Sequence, residues 1–137
     1  MRFLAIDWGE KRIGLALSED GVFAFPFKVI ENTNHSAHPP LRKEGAMLEE
    51  LESIMTERKV GKIILGWPIG LSGNATEKTK EVERFYQELL KFDVPVEKVD
   101  ERYSTKMVPR EGRGIDMKDA VSAQILLQEY LDTAAGE

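Results

Sequence analysis

The chain has 137 residues, of which 42% are hydrophobic and 31% charged, as in an ordinary globular domain and unlike a disordered or fibrous protein. It contains no cysteine, which excludes disulfides, thiol nucleophiles and Cys-ligated metal clusters. The net charge of −5 argues against a protein that coats nucleic acid non-specifically, because such binding depends on neutralising phosphates. We expect one domain over residues 1–137, in the cytoplasm and without membrane association, since no signal peptide or spanning segment is recognisable.

Three strands are predicted first. Residues 2–6 form a short apolar run, and apolar residues alternate with smaller or polar ones over residues 13–17, as in a half-buried strand. A third strand is predicted from Phe25 or Phe27 to Ile30, and Pro26 confines its start to a sheet edge or a bulge. Residues 32–40 are typical of a loop.

Three helices then alternate with two further strands. Apolar residues recur at helical spacing in three stripes: Met47, Leu48, Leu51, Ile54 and Met55; Val82, Phe85, Tyr86, Leu89 and Leu90; and, in a helix beginning near Asp116, Val121, Ile125, Leu126, Leu127, Tyr130 and Leu131. Residues 62–65 and 94–99 are short and apolar enough to be buried parallel strands. The pattern predicts an α/β fold, with a mixed five-stranded sheet flanked by helices.

Acidic residues stand where ligands collect in such folds, beyond the carboxyl ends of parallel strands. Asp7 ends the first strand, Asp100 and Glu101 follow the last strand, and Asp119 is predicted in the first turn of the last helix. Each alone is better explained as a turn former, an ion-pair partner or a helix-dipole charge than as a metal ligand. Converging carboxylates repel one another unless a cation lies between them, and oxygen ligands without histidine or cysteine indicate Mg²⁺ or Mn²⁺.

Four motifs carry a resemblance to a known family. They are Ile6-Asp7-Trp8-Gly9-Glu10-Lys11-Arg12-Ile13-Gly14-Leu15-Ala16, Gly66-Trp67-Pro68 with Gly73, Asp100-Glu101-Arg102 with Ser104 and Thr105, and Asp119-Ala120-Val121-Ser122-Ala123. In this order, and over nearly the whole chain, they resemble the YqgF/RuvX family.

The resemblance implies an RNase H-like fold and nuclease activity. The family is described both as a Holliday junction resolvase, by its resemblance to RuvC, and as a nuclease that matures the 5′ end of the small-subunit ribosomal RNA precursor. By the same resemblance Asp7, Glu101 and Asp119 match the three acidic positions, so they are the predicted catalytic and metal-binding residues.

Other residues are predicted to hold the substrate or shape the loops around the site. The candidates for phosphate contact are Lys11, Arg12, Arg102, Lys106, Arg110 and Arg113. The candidates for loops that let a backbone approach a phosphate are Gly9, Gly66, Pro68 and Gly73. Solvated turn charges and tight structural turns are the alternative interpretation of both sets.

The leading hypothesis is a metal-dependent endonuclease acting on structured nucleic acid, with ribosomal RNA precursor ranked ahead of a four-way DNA junction. A nucleotide-binding phosphotransferase is a second class, since an Asp-x-Gly turn between antiparallel strands also cradles phosphates, but that architecture needs two such domains. A non-catalytic nucleic-acid-binding module is the third. A monomer and a homodimer both remain open, and a junction resolvase requires the dimer.

Overall fold

The computed structural model describes residues 1–9, 11–32, 46–67, 77–100 and 115–135. The elements in chain order are β1 (Phe3–Asp7), β2 (Arg12–Ser18), β3 (Phe25–Glu31), α1 (Ala46–Arg58), β4 (Lys62–Trp67), α2 (Glu77–Leu89), a 3₁₀ turn (Leu90–Phe92), β5 (Val96–Asp100) and α3 (Ile115–Ala135). The predicted sequence of three strands followed by alternating helices and strands is confirmed.

The five strands form one mixed sheet in the order β3-β2-β1-β4-β5. β1 pairs antiparallel with β2, and β2 antiparallel with β3, whereas β4 lies parallel to both β1 and β5. The carboxyl ends of β1, β4 and β5 therefore meet at one edge of the sheet, which we call the carboxyl edge.

Helices cover the sheet on both faces, and each face has its own core. One core unites alternate strand residues such as Ile6 and Leu65 with α1 and α2 side chains such as Leu51 and Phe85. The other unites the intervening strand residues with α3, and its buried members are Ala5, Ala16, Ala24, Ile64, Ala123, Leu127 and Leu131. The many alanines of this second core leave room for α3 to lie close against the sheet.

The prediction that β2 is a half-buried strand is wrong. Every residue after Arg12 in this strand is buried, because α3 covers the face that carries the small residues Gly14, Ala16 and Ser18. Small residues that alternate with large apolar ones resemble the exposed face of a half-buried strand. Here these residues are small because a helix packs against them.

Two local predictions at the ends of elements have different outcomes. Pro26 lies on the edge strand β3, next to a register shift opposite Leu15 and Ala16, so the predicted edge and bulge are both confirmed. Leu90, assigned by pattern to the buried stripe of α2, is instead 45% exposed. The chain tightens into a 3₁₀ turn at Leu90, which changes the direction of the side chain.

Helix α3 is also tied to the turn between β2 and β3. The Gln128 side chain accepts a hydrogen bond from Ala24 N (2.9 Å) and donates one to Val22 O (2.8 Å). Gln124 Nε2 donates to Ala24 O at 3.1 Å. These bonds fix the position of α3 along the sheet. No helix within the described ranges is long and apolar enough to cross a membrane.

Candidate active site at the carboxyl edge

Asp7 is the last residue of β1 and lies half-buried at the carboxyl edge. Ala5 belongs to the core beneath α3, and Ile6 belongs to the core on the opposite face. Because strand residues alternate between faces, Asp7 shares the α3 face with Ala5.

Gly14 joins Asp7 to the last helix. It is the antiparallel partner of Asp7 in the β1–β2 ladder, where directly opposed Cα atoms lie about 4.5–5.5 Å apart. A Cβ built on Gly14 would overlap the carbonyl oxygen of Asp119, so the α3 backbone touches the sheet at this point. Only glycine permits so close an approach. Asp7 and Asp119 are thereby brought to the same face and the same end of the sheet.

The helix α3 starts at Ile115, which confirms the predicted start near Asp116, so Asp119 begins the second turn and not the first turn as predicted. Its side chain is 35% exposed, and its Oδ2 lies 3.8 Å from Nε of Arg12, whose side chain is 44% exposed. The first residue of β2 therefore places a guanidinium directly beside one of the candidate metal ligands.

The turn from Asp7 to Arg12 is held by Asn32, at the end of β3. Asn32 Nδ2 donates to the Gly9 carbonyl at 2.7 Å, and Asn32 N donates to the Lys11 carbonyl at 2.9 Å. A Cβ on Gly9 would overlap the Arg12 carbonyl oxygen, which explains why this turn needs glycine. Asn32 itself is 7% exposed, so the turn is fastened from the interior.

The neighbouring strands end beside Asp7. Ile6 pairs with Leu65 of β4, and Trp67 pairs with Asp100 of β5. The Trp67 ring packs edge-on against the Tyr86 ring, and Lys98 Nζ lies 4.2 Å from the centroid of each ring. These contacts on the α2 face hold the ends of β4 and β5 together.

The structure describes six of the predicted site residues: Asp7, Gly9, Lys11, Arg12, Gly66 and Asp119. It brings Asp7, Arg12 and Asp119 together, with Gly9 and Lys11 in the connecting turn. Gly66, predicted in a loop, is instead a buried residue of β4, because the strand continues to Trp67. Seven lie outside the described residues: Pro68, Gly73, Glu101, Arg102, Lys106, Arg110 and Arg113. Within the described part of the chain, no group of three or more His, Cys, Asp or Glu side chains is placed to hold a metal ion.

Two residues of this site were not singled out from the sequence. The role of Gly14 could have been inferred from its place opposite Asp7 in a predicted hairpin, but which helix covers it depends on the tertiary fold. Asn32 is the first residue of a predicted loop, and no local signal shows that its amide reaches back to Gly9.

Comparisons with known proteins agree on the family. A family model described as "RuvX: Holliday junction resolvase" matches residues 1–133. A "Putative pre-16S rRNA nuclease" of Maridesulfovibrio salexigens is 38% identical over 144 aligned residues, covering 98% of this chain and 100% of the relative. A protein of the same name from Dictyoglomus turgidum is 35% identical, with 97% of this chain and 95% of the relative covered.

Solved structures show the same fold at low sequence identity. Thermus thermophilus RuvC in complex with a Holliday junction substrate superposes with a TM-score of 0.65 and 12% identity, covering 99% of this chain and 97% of that one. A second T. thermophilus RuvC structure has a TM-score of 0.62 and 14% identity. The fold is thus the RNase H-like fold of RuvC, and the match over almost the whole chain means that this protein belongs to the RuvX (YqgF) family.

Proposed function

We propose that this protein is a metal-dependent endonuclease that hydrolyses phosphodiester bonds in structured nucleic acid, with the 5′ end of pre-16S ribosomal RNA as its substrate. The observation that carries the proposal is the contact of Gly14 with Asp119, opposite Asp7, which brings two carboxylates to one end of the sheet. Relatives that align over the whole chain are named for that substrate, which is why we rank it first.

The donor chemistry fits a hard divalent cation. Asp7 and Asp119 offer carboxylate oxygens, the ligands that Mg²⁺ and Mn²⁺ prefer. For the third ligand we propose Glu101. Glu101 directly follows β5, which ends at Asp100, and it matches an acidic position of the family by the resemblance given above.

Each group has a separate task in the proposed reaction. Asp7, Glu101 and Asp119 would hold Mg²⁺ or Mn²⁺, which would supply positive charge to acidify a water molecule and to offset charge developing on the phosphate. Lys11 and Arg12 bind substrate phosphates beside the scissile bond. Asn32 and Gly9 keep the turn rigid, so that Asp7 does not have to be ordered when substrate binds.

The remaining expectations belong to the same proposal. Arg102, Lys106, Arg110 and Arg113 contact phosphates further along the substrate, and the glycines and proline after β4 let backbone approach it. Residues 1–137 act as one nuclease domain in the cytoplasm, without membrane association. A monomer suffices to cut one RNA strand.

Resolution of Holliday junctions is the second candidate. It is favoured by the description of the matching family and by the RuvC-like fold. This activity requires a two-fold homodimer, because paired sites must cut two strands symmetrically. The solution oligomeric state therefore bears on the choice between the two candidates.

The test is cleavage of a pre-16S 5′ fragment and of a four-way DNA junction, each with Mg²⁺, with Mn²⁺ and with chelator. The wild type is compared with Asp7→Asn, Asp119→Asn and the control Asp132→Asn, which makes the same change at the far end of α3. We expect the RNA to be cut at a discrete site by the wild type and the control only, and only with metal.

Other outcomes redirect or remove the proposal. Cutting of the junction alone would replace the first candidate by the second. Tight metal-dependent binding without cleavage of either substrate would leave a non-catalytic nucleic-acid-binding module. Cleavage that survives both substitutions would show that these carboxylates are not the catalytic site.

A further inference from the structure

Arg12 is a positively charged residue beside a proposed metal ligand. Its Nε lies 3.8 Å from Asp119 Oδ2, so a positive side chain stands beside a carboxylate that we assign to a divalent cation. A guanidinium and a cation on the same carboxylate repel each other. Arg12 and the metal therefore compete for Asp119.

The geometry of the pair indicates that it can open. Its separation is close to the limit for an ion pair, and the two side chains are 44% and 35% exposed. Pairs of this kind are weak because water screens them. By contrast, the backbone that carries Arg12 is well fixed, since Asn32 N donates to the Lys11 carbonyl at 2.9 Å. The pair with Asp119 can thus open while the backbone that carries Arg12 stays in place.

We propose that Arg12 is a movable counter-ion that couples metal binding to substrate binding. Without metal it balances Asp119; when a divalent cation binds the carboxylates, the guanidinium is displaced and becomes available to a substrate phosphate. A guanidinium suits this exchange because its fork of N–H donors fits carboxylate and phosphate alike. The inference rests on the proposed function, because it assumes that Asp119 binds a metal.

Such an exchange makes two binding equilibria cooperative. Metal binding releases Arg12 for phosphate, and phosphate binding removes Arg12 from the metal site, so each ligand raises the affinity for the other by the same factor. Lys11 offers a matched control. It is an exposed residue of the same turn and carries the same charge, so its removal changes the field at the site without removing the Asp119 pair.

The experiment compares the wild type with Arg12→Gln and Lys11→Gln, without using cleavage. Mg²⁺ affinity is measured from the dependence of the melting temperature on Mg²⁺ concentration. Affinity for a fluorescent 12-nucleotide RNA is measured in chelator and in Ca²⁺, a dication that takes the same oxygen ligands, and the probe is checked for integrity on a gel.

We expect Arg12→Gln to bind Mg²⁺ roughly two- to fivefold more tightly than Lys11→Gln, since loss of a weak competing pair has about this effect. The same variant should lose most of the gain in RNA affinity that Ca²⁺ produces, whereas Lys11→Gln should bind RNA more weakly but keep that gain. Opposite effects on the two ligands are not expected of a residue that only supports the fold.

Equal or weaker Mg²⁺ affinity in Arg12→Gln relative to Lys11→Gln would overturn the inference, and so would an undiminished gain with Ca²⁺. Failure of the proposed function is recognised separately. It appears as absence of metal-dependent cleavage in the wild type, whatever the two binding measurements show.

Discussion

The two ends of helix α3 contact the sheet in contrasting ways. At its start, the Asp119 backbone touches Gly14, while the Asp119 side chain is paired only at 3.8 Å with Arg12. About 16 Å further along the helix, at a rise of about 1.5 Å per residue, Tyr130 lies in a network of short hydrogen bonds.

In that network Lys62 Nζ donates to Tyr130 OH at 2.7 Å and pairs with Glu97 at the same distance. The Tyr130 hydroxyl donates to Glu97 Oε1 at 3.2 Å, and its ring lies 6.1 Å from that of Phe3. Lys62, Glu97 and Tyr130, which we call the anchor end, thus each have a close polar partner. Helix α3 is thus held by hydrogen bonds of 2.7–3.2 Å around Tyr130, whereas Asp119, near its start, pairs with Arg12 at the longer distance of 3.8 Å.

The sharpest contrast is expected in cleavage. Asp7→Asn and Asp119→Asn should each lower metal-dependent cleavage by at least about 100-fold, since each removes a ligand charge worth several kcal/mol in the transition state. The anchor variant Tyr130→Phe should cleave normally at a temperature where it is folded. Initial cleavage rates at saturating Mg²⁺ measure these effects. A comparable loss of cleavage in Tyr130→Phe would mean that the two ends of α3 do not differ in their role.

Gly14→Ala should disturb the contact between β2 and the start of α3. The added methyl group overlaps the Asp119 carbonyl, and because both partners are main chain, α3 or β2 must shift. We expect a loss of about 1–3 kcal/mol in the free energy of unfolding, as for other overpacked sites. Chemical denaturation measures it, with Gly21→Ala, at a positive φ far from the site, as a reference for ordinary glycine strain. A neutral Gly14→Ala would show that the close approach is not required.

A substitution of Asn32 tests whether the candidate site depends on a rigid turn between Asp7 and Arg12. Asn32→Asp removes the amide donor and places a carboxylate oxygen against the Gly9 carbonyl, at a residue that is 7% exposed. The expected cost is about 1–3 kcal/mol of stability, together with a fall in cleavage beyond that of an equally destabilised Tyr130 variant. Stability and cleavage measured on the same samples separate the two effects. Cleavage that tracks stability alone would reduce Asn32 to a purely structural residue.

The smallest effects belong to the anchor end and depend on pH. The hydrogen bond from Lys62 lowers the pKa of Glu97 below its ordinary value of 4.5, and Glu97 raises the pKa of Lys62 above 10.5. The pair therefore stabilises the fold between these values. Its contribution is lost as pH falls through the lowered pKa of Glu97 or rises through the raised pKa of Lys62.

Glu97→Gln should accordingly destabilise the protein by about 0.2–1 kcal/mol at neutral pH, because both groups are partly exposed. The difference from the wild type should shrink as pH falls from 4.5 through the lowered pKa of Glu97, because protonation of the carboxylate removes the pair. Urea denaturation at several pH values tests this. A difference that grows on acidification would mean that the pair does not stabilise the anchor end.

Sequence patterns predicted the order of elements, the parallel strands and the placement of Asp7 at a strand end, because each depends on local periodicity. They could not predict the pairing of Arg12 with Asp119, or the contact of Asn32 with Gly9, because these join residues from different elements after folding. The buried face of β2 was misjudged for the same reason. Gly14 and Ala16 are small because α3 packs against them, and the sequence of one strand does not show which helix will cover it.

The most direct test of a shared metal site is the melting temperature of the wild type, Asp7→Asn, Asp119→Asn and the double variant, in chelator and in about 10 mM Mg²⁺. For a dissociation constant near 1 mM, Mg²⁺ should stabilise the wild type by about 1.4 kcal/mol, or roughly 4 °C. In chelator, Asp7→Asn should be as stable as the wild type or more stable by at most about 1 kcal/mol in the free energy of unfolding. The gain is small because Arg12 already offsets part of the repulsion between Asp7 and Asp119.

Either single substitution should remove most of the Mg²⁺ shift, and the double variant should lose little more, because ligands of one ion act as a unit. Shifts in both single variants equal to that of the wild type would mean that Asp7 and Asp119 do not hold a common ion.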